Sequence, residues 1–412
     1  MAAKKVVITG RGLVTPIGFG VQENIDALKN GKSGIVFLPE WQEAGLESNV
    51  GGKVSYEYDC PLFDRKKLRF MPENAKMAVA AAYEAITEAG YTPETLPGSE
   101  MAIINGCAGS AYAEVCTQVH VFKETGNLRR VSAFAVPRTM PSSAVANMSL
   151  VLGITGDSFD VSCACTSGAL AVITAARMIQ SGEYDIILAG GSEELSWQQA
   201  LGFNAMRAIS RNHNEQPHLA SCPFDKKRDG FVMAEGAGML VLESEEHARK
   251  RGAVIHGEIK GFAVNSNATD MVAPDRNSSA AVMQKALKHA GLQPEDITYI
   301  NTHGTSTPVG DPIEINAIRD VFEKNPVLAI NSTKSQTGHM IGATGAVEII
   351  YSNLMIQGSF VSPTLNLTEP DDEFSWADIV SETRYNFPIN YALSNSFGFG
   401  GTNACVIVGK YE

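Results

Sequence analysis

The sequence predicts an α/β protein that consists of two fused copies of one strand-and-helix unit. Short β-branched runs alternate with helical patterns along the chain, which is typical of α/β folds. The chain has 412 residues, more than one simple hydrophobic core usually accommodates, so two lobes or halves are expected. A weak internal repeat points to the same organisation.

Six runs are predicted to form strands and three to form helices. The predicted strands are Val6–Thr9, Met101–Asn105, Asp185–Ala189, Met239–Glu243, Ile297–Asn301 and Val327–Asn331. The predicted helices are Ala75–Ala89, Gly168–Gln180 and Gly345–Gln357. The stretch from about residue 37 to residue 140 has mixed patterning, so capping segments are expected there.

The internal repeat relates two helix starts and two strand ends. CTSGALAVITAARMIQSG begins at Cys165 and GATGAVEIIYSNLMIQGS begins at Gly342, a shift of 177 residues. INGCAGS begins at Ile104 and INTHGTS begins at Ile300, a shift of 196 residues. Chance similarity between Gly/Ala-rich helix starts is the alternative, but two matches in the same order favour duplication.

Composition and charge argue against several classes of protein. A formal net charge of −12 disfavours nucleic-acid binding. No apolar run has the length of a signal peptide or a membrane span, so a soluble cytoplasmic protein without membrane contact is expected. The seven cysteines, an odd number, are not expected to form disulfides there. Cys163 and Cys165 are close in sequence, but no further ligand lies at a finger-like spacing, so no metal is expected.

Cys165 is the best candidate for a nucleophile. It lies between a predicted strand, Asp157–Val161, and a predicted helix, at a turn that projects its side chain. Unpaired N–H groups and the helix dipole are expected to lower its pKa below the usual value of about 8.5. The same N–H groups can stabilise the oxyanion of a thioester under attack. The alternative is a small buried cysteine without a chemical role.

Two histidines in the second copy of the repeat lie among small and hydroxyl-bearing residues, in loops next to a predicted strand and a predicted helix. His303 follows a predicted strand in INTHGTSTPVGD, and His339 precedes the second helix in NSTKSQTGHMIGATG. Strand ends in α/β folds are common ligand sites, although a lone histidine is usually structural. Glu348 lies in the apolar run AVEIIYSNLMI, where a buried carboxylate needs a partner, and Lys334 is its natural one.

A Gly-rich segment near the C-terminus, SNSFGFGGTN from Ser394 to Asn403, contains two phenylalanines. Its backbone can approach a substrate closely, and its rings can gate an apolar tunnel. A plain turn between two strands is the alternative.

Together these motifs resemble the elongating β-ketoacyl-acyl-carrier-protein synthases of the thiolase superfamily. The resemblance runs from VVITGRGLVTPIG through ACTSG, PFDKKRDGFVMAEGAG, HGTSTPVGD and TKSQTGHMIGATG to NSFGFGGTN. It implies a thiolase-like fold with a duplicated five-layered αβαβα architecture. The implied halves are residues 1–252, with capping insertions, and residues 253–412.

The resemblance also implies a role for each candidate residue. Cys165 corresponds to the acylated nucleophile, His303 and His339 to the two catalytic histidines, and Lys334 with Glu348 to the supporting ion pair. The substrate and pantetheine site is expected to include Thr305, Thr307, Phe399, Gly109 and Phe203, and the backbone N–H groups of Cys165 and Phe399 are expected to form the oxyanion hole. The implied reaction is decarboxylative condensation with malonyl carrier to give 3-oxoacyl carrier, without a metal or organic cofactor.

The implied partners are an acyl carrier protein, which is acidic, and a second subunit. Basic residues expected to dock the carrier are Arg65, Lys66, Lys67, Arg69, Arg129, Arg130 and Arg207, with Arg211 as an addition; solvated surface charge is the alternative. A homodimer is expected, with the segment Val136–Met148 at the interface, and a heterodimer with a related ketosynthase stays open.

The motifs point to more than one synthase subtype, and they leave the length of the acyl substrate open. Segments such as DRKKLRFM and TDMVAP resemble synthase I, whereas ACTSG is the form of the nucleophile motif that resembles synthase II. Gly109 stands where many relatives carry a bulky residue, so an open acyl pocket is expected. A specialised type II pathway, such as polyene or polyketide synthesis, is as compatible as fatty acid elongation. The two alternative functions are a non-catalytic chain-length-factor-like partner and a degradative thiolase, for which Cys405 would be the second cysteine.

Overall fold

The computed structural model describes residues 3–411, which form a large mixed β-sheet covered and divided by helices. The strands are β1 Val6–Thr15, β2 Gly18–Phe19, β3 Ile35–Phe37, β4 Val50–Gly52, β5 Met101–Gly106, β6 Ser158–Val161, β7 Ile186–Glu193, β8 Gly236–Ser244, β9 Gly257–Ser266, β10 Tyr299–Asn301, β11 Ala329–Asn331, β12 Phe360–Val361, β13 Asp378–Ile379, β14 Arg384–Tyr385, β15 Tyr391–Phe397 and β16 Thr402–Gly409. The α-helices are α1 Gly20–Lys29, α2 Pro39–Glu43, α3 Glu73–Glu88, α4 Tyr112–Thr125, α5 Ala135–Thr139, α6 Ser143–Leu152, α7 Ser167–Ser181, α8 Trp197–Ala205, α9 Glu245–Lys250, α10 Arg276–Ala290, α11 Gly310–Phe322, α12 Lys334–Thr337 and α13 Thr344–Gly358.

The strand order repeats itself about the centre of the sheet. One half has the order β1-β8-β7-β5-β6, and the other has β9-β16-β15-β10-β11. In both halves the inner pairs are antiparallel and the outer pairs are parallel. The halves meet where β1 pairs with β9, at Val7 with Glu258 and Ile8 with Gly257. This symmetry agrees with the duplication that the internal repeat predicted.

Helices α7 and α13 pack against each other between the two halves of the sheet, and α3, α6, α10 and α11 cover the outer faces. Every residue of α13 from Thr344 to Ile356 is buried, as expected of a helix that lies between two layers of the sheet. Small residues let the two central helices approach, because a Cβ at Gly168 would lie 2.8 Å from the carbonyl oxygen of Gly342. The resulting α-β-α-β-α layering is the predicted fold.

The seven predicted strands, Asp157–Val161 included, and the three predicted helices are all present, with shifted ends. The first strand runs on to Thr15 instead of ending at Thr9, because Gly10 and Gly12 lie against α3 without leaving the sheet. Among residues 3–411, no helix is both long and apolar enough to cross a membrane.

Candidate active site

A cavity of about 810 Å³ opens where the two halves meet, and Cys165, His303 and His339 lie in its wall. The N-terminal half contributes α8 and the loop after β5, and the C-terminal half contributes loops around residues 267–274, 303–311 and 397–399. The two ring nitrogens and the sulfur of these three residues lie within 4.8 Å of one another. Cys165 thus meets two histidines that lie 138 and 174 positions later in the sequence.

Cys165 lies on a tight turn between β6 and α7. Its predecessor Ala164 has a φ of +49°, a left-handed conformation that non-glycine residues seldom adopt. The turn is fixed by Ser167, whose hydroxyl accepts a hydrogen bond from the Cys163 N–H at 2.9 Å and donates to the Ala164 carbonyl at 2.7 Å. This strained turn projects the sulfur into the cavity, as the strand–turn–helix pattern predicted.

The first N–H groups of α7 are not free to stabilise a thiolate at Cys165. Those of Thr166 and Ser167 donate to carbonyls of the same turn, both at 3.1 Å, and that of Gly168 donates to the Gly342 carbonyl at 2.8 Å. The helix terminus is therefore already satisfied by other acceptors.

Burial raises the pKa of the Cys165 thiol to about 12. The positive charge of Lys334 and the backbone N–H groups of Phe399 and Cys165 oppose this rise and lower the pKa. The lowered thiol pKa expected from sequence is therefore wrong, because desolvation outweighs the few groups that face the sulfur.

Both histidines are neutral at physiological pH. Burial, with the charge of Lys334, holds the pKa of His303 and that of His339 well below the usual range. The rings lie edge to face with centroids 5.3 Å apart. His339 Nδ1 lies 3.0 Å from the Thr344 hydroxyl, while its buried Nε2 has no hydrogen-bond partner among the described residues. That nitrogen is available to a bound molecule.

Lys334 and Glu348 form a buried ion pair behind the histidines. The Nζ–Oε1 distance is 2.7 Å, and both side chains are 1% exposed. The Thr333 hydroxyl also donates to Glu348 at 3.1 Å, and Lys334 Nζ lies 3.4 Å from the Thr302 carbonyl. Burial raises the pKa of Glu348, and the neighbouring Lys334 lowers it. The pairing predicted from the sequence is present.

Sequence reasoning missed Glu314, which holds the backbone at His303. Its carboxylate accepts the N–H groups of His303 and Gly304 at 2.8 and 2.7 Å, and the Asn395 side chain at 3.1 Å. Burial raises the pKa of Glu314 to about 7, while these donors lower it. An acidic residue in the apolar pattern of α11 was the available signal.

Sequence reasoning also missed Glu193, which joins the two halves. It is fully buried and accepts the N–H groups of Ala108, Gly109 and Gly342 at 2.9, 3.0 and 3.0 Å. The Gln199 side chain donates to the same carboxylate at 3.2 Å. Burial raises the pKa of Glu193 to about 8, and these donors lower it.

Glu193 also explains why the second repeat carries no thiol. Gly342 occupies the position that matches Cys165, and the preceding Ile341 has a φ of +41°, like Ala164. A Cβ at Gly342 would overlap the backbone nitrogen of Ala108 and lie 2.7 Å from Glu193 Oε2. The turn is duplicated, but only one copy has room for a side chain.

The Gly-rich segment is the turn between β15 and β16, and it reaches the nucleophile. A Cβ at Gly398 would lie 3.4 Å from the Cys165 nitrogen, and the backbone N–H of the next residue, Phe399, faces the sulfur. The Phe399 ring lies 6.2 Å from that of Phe203, and both line the cavity. Gly400 and Gly401 follow with φ near +80°, which permits the sharp reversal.

The remaining predicted residues are distributed between the cavity and the surface. Thr305 and Thr307 line the cavity with their hydroxyl oxygens 3.2 Å apart, and Arg207 lies at its rim. Gly109 does not line the cavity, because the Tyr112 ring lies in front of it. Cys405 is fully buried in the core of the C-terminal half and does not line the cavity either.

The predicted docking residues between 65 and 130 form two clusters. The first is Arg65, Lys66, Lys67 and Arg69, of which only Lys67 is half-buried, near Asp64. The second is Arg129 and Arg130, and both are exposed. The rings of Phe70 and Phe134 pack at 5.1 Å, which brings the two clusters onto one face. Arg211 instead pairs with Glu47 at 2.8 Å.

Comparison with known proteins identifies the family. Residues 3–248 match the beta-ketoacyl synthase N-terminal domain, and residues 256–368 match the corresponding C-terminal domain. The chain belongs to the beta-ketoacyl synthase family. It is 40% identical to 3-oxoacyl-[acyl-carrier-protein] synthase 1 of Haemophilus influenzae, over 99% of this chain and 100% of that protein.

Solved structures of beta-ketoacyl synthases have the same fold. A beta-ketoacyl synthase from Burkholderia phymatum superposes with a TM-score of 0.93 at 36% identity, over 99% of this chain and 100% of that one. The ketosynthase AntDE, solved with the type II polyketide carrier protein AntF, superposes with a TM-score of 0.91 at 32% identity, again over 99% and 100%. The predicted family, fold and condensing acyltransferase class are confirmed.

Proposed function

We propose that this protein is a 3-oxoacyl-acyl-carrier-protein synthase that carries the growing acyl chain on Cys165. The observation that carries the proposal is the meeting of the Cys165 sulfur with His303 and His339 within 4.8 Å in one cavity. A nucleophile beside two neutral hydrogen-bonding groups suits covalent acyl transfer followed by condensation.

The first stage transfers an acyl group from the thioester of a carrier's phosphopantetheine to the Cys165 sulfur. Because the raised pKa keeps the thiol protonated at neutral pH, its proton has to leave as the new C–S bond forms. The neutral imidazoles beside it can accept that proton and pass it to the departing carrier thiol. The N–H groups of Cys165 and Phe399 face the sulfur, a position from which they can stabilise the oxyanion.

The second stage consumes a malonyl carrier. Its carboxylate C–C bond breaks, CO2 leaves, and the electron pair forms an enolate on the thioester. If the Thr344 hydroxyl donates to His339 Nδ1, the proton of this neutral ring lies on the unpartnered Nε2, which can donate to the enolate oxygen together with His303. The enolate carbon then attacks the Cys165 thioester, the C–S bond breaks, and 3-oxoacyl carrier leaves. The departing Cys165 sulfur takes up one proton from solvent through a neighbouring imidazole.

The supporting residues follow from their positions. The hydroxyls of Thr305 and Thr307 are the donors we assign to the pantetheine arm, because they project from the C-terminal wall of the cavity. Phe399 and Phe203 are assigned to the acyl gate. Lys334 and Glu348 are positioning residues: burial keeps both histidines neutral, the lysine charge adds to this effect, and Glu348 holds the lysine in place. No metal or organic cofactor is required for this sequence of steps.

The carrier protein is proposed to dock on the face that presents both basic clusters. Five of the residues are exposed cations on adjoining segments, namely Arg65, Lys66, Arg69, Arg129 and Arg130. An acidic carrier complements such a face, and the attraction weakens with salt. Arg207 at the cavity rim is placed to receive the phosphate of the arm.

A homodimer is proposed from an exposed edge of the sheet. β6 pairs with β5 on one side, whereas its counterpart β11 is covered by β13. Phe159 on β6 is 38% exposed, and Val136 in the predicted interface segment is 74% exposed. Exposed edges and apolar patches of this kind favour pairing with a second chain.

Sedimentation of the protein expressed alone distinguishes a homodimer from the heterodimer alternative. The substitution Phe159→Glu is expected to shift the homodimer towards monomer.

The remaining assignments are broader. We place the protein in the cytoplasm, in fatty acid or type II polyketide biosynthesis, with functional halves at residues 1–252 and 253–412. The retained Cys165 disfavours a non-catalytic partner subunit, and the burial of Cys405 away from the cavity disfavours a thiolase with a second catalytic cysteine.

Intact-mass measurement tests the proposed function. Incubation with octanoyl carrier is expected to add one octanoyl group to the wild type, and malonyl carrier is expected to remove it as 3-oxodecanoyl carrier. Cys165→Ala should abolish the adduct, whereas Cys163→Ala, the matched control two residues away, should retain it. An adduct that persists in Cys165→Ala, or none in the wild type, refutes the proposal.

A further inference from the structure

The two walls of the cavity have different chemistry. The C-terminal wall carries the paired threonine hydroxyls, and the N-terminal wall carries Tyr112, Gln199 and Phe203 with Met206. If the pantetheine arm takes the threonine side, as proposed above, the acyl chain has to lie along the N-terminal wall. The length of chain accepted then depends on what ends that wall.

Tyr112 fills the space that the small residue Gly109 leaves. A Cβ at Gly109 would lie 2.5 Å from Tyr112 Cε2 and 2.8 Å from Gln199 Nε2, so ring and amide are packed onto the glycine. The backbone there cannot retreat, because the Gly109 N–H donates to buried Glu193, which also binds Gln199. The glycine therefore does not enlarge the cavity; the ring of a residue three positions later closes it.

The orientation of the Tyr112 ring is set by the backbone conformation before α4 and not by packing in the hydrophobic core. Ala111, immediately before Tyr112, has a φ of +50°, a left-handed conformation that turns the chain into α4. None of the residues of α4 is buried, and Tyr112 itself is 43% exposed. Replacing the ring therefore removes a wall of the cavity and little of the stabilising core.

We propose that Tyr112 is the specificity-determining residue that ends the acyl pocket and limits the enzyme to short and medium acyl chains. The inference rests on the proposed function, because it assigns the N-terminal wall to the acyl chain on Cys165. The ring acts as a steric stop, so its size matters and its hydroxyl does not.

Acylation of Cys165 by butanoyl, octanoyl, dodecanoyl and hexadecanoyl carriers tests this role, with rates read by intact mass. Tyr112→Ala is expected to raise the ratio of dodecanoyl to butanoyl acylation by about tenfold or more, the discrimination that a few methylenes give in an apolar pocket. Tyr112→Phe keeps the ring and should keep the wild-type ratio. Val115→Ala, on the same exposed helix but outside the cavity lining, is the matched control for changes at the surface of α4.

The outcomes separate this inference from the proposed function. A wild type that accepts butanoyl carrier, with the same ratio in Tyr112→Ala, overturns the role of Tyr112 and leaves the proposed function intact. A wild type that already accepts hexadecanoyl as fast as butanoyl also overturns it. No adduct with any carrier overturns both. Sedimentation of each variant shows whether a changed ratio accompanies a changed oligomeric state.

Discussion

Removing one member of the buried Lys334–Glu348 pair is predicted to cost far more stability than removing both. Each side chain is 1% exposed, so Lys334→Met leaves a carboxylate without a cation in a dry site. The expected loss in the free energy of unfolding is about 3–5 kcal/mol at pH 8. In the double variant Lys334→Met/Glu348→Leu no charge remains, and stability should lie within about 1 kcal/mol of the wild type or above it.

The loss in Lys334→Met should also depend on pH. Burial already raises the pKa of Glu348, and removal of the neighbouring cation removes the charge that lowers it. A group whose pKa is higher in the folded than in the unfolded state stabilises the fold at low pH and loses this contribution as pH rises through the folded pKa. The single variant should therefore be closer to the wild type at pH 5 than at pH 8.

Urea unfolding at a fixed protein concentration measures these differences, followed by fluorescence at both pH values. The matched control is Lys53→Met, which breaks the surface pair with Glu40 at 2.9 Å, where both side chains are more than 40% exposed. That control should change stability by less than about 1 kcal/mol. Equal stability of the single and double variants, or a loss independent of pH, would refute the reasoning. The double variant should still lose condensation activity, because the contacts of the pair with Thr333 and Thr302, directly behind the histidines, are lost.

Three further predictions concern the nucleophile, the duplicated turn and the docking face. Alkylation of Cys165 by iodoacetamide should rise about tenfold per pH unit from pH 7 to 9, since its pKa is raised to about 12, and a plateau near pH 8.5 on peptide mapping would contradict this. Gly342→Ala should lower stability by about 1–3 kcal/mol or more through overlap with the Ala108 backbone, whereas Gly202→Ala, where a Cβ meets nothing within 4 Å, should not. Reversing Arg129 and Arg130 to Glu should lower kcat/KM for carrier substrates at low salt by about tenfold and flatten its salt dependence, while leaving acylation by a small synthetic thioester unchanged.

The sequence located the reacting groups because their chemistry is carried by the residues themselves. Cys165, His303 and His339 each lie next to a predicted strand or helix, among small residues. Such local patterns can be recognised from the sequence alone. The Lys334–Glu348 pair was predictable for a similar reason, since a carboxylate in an apolar helix requires a partner.

The residues that were missed act through backbone groups far away in sequence. Glu193 binds the N–H groups of Ala108 and Gly342, which are 85 and 149 residues away, and no local pattern encodes that contact. The thiol pKa was misjudged because burial of Cys165 in the folded chain outweighs the groups that lower the pKa. The helix N–H groups are also taken by acceptors that only the folded turn and the second half supply. The open pocket expected at Gly109 is absent because the Tyr112 ring packs against the glycine. Comparison of single positions with relatives does not show such packing between neighbouring side chains.

The blocked turn at Gly342 makes the two fused units unequal. Two equal units would each offer a turn able to carry a nucleophile, yet here the second turn is filled by the Ala108 backbone and the Glu193 carboxylate. A thiol at Gly342 would also require changes in the loop after β5 and at Glu193, because both occupy the space of its side chain. The two turns are therefore not interchangeable, and no single substitution at Gly342 would move the nucleophile to the second unit.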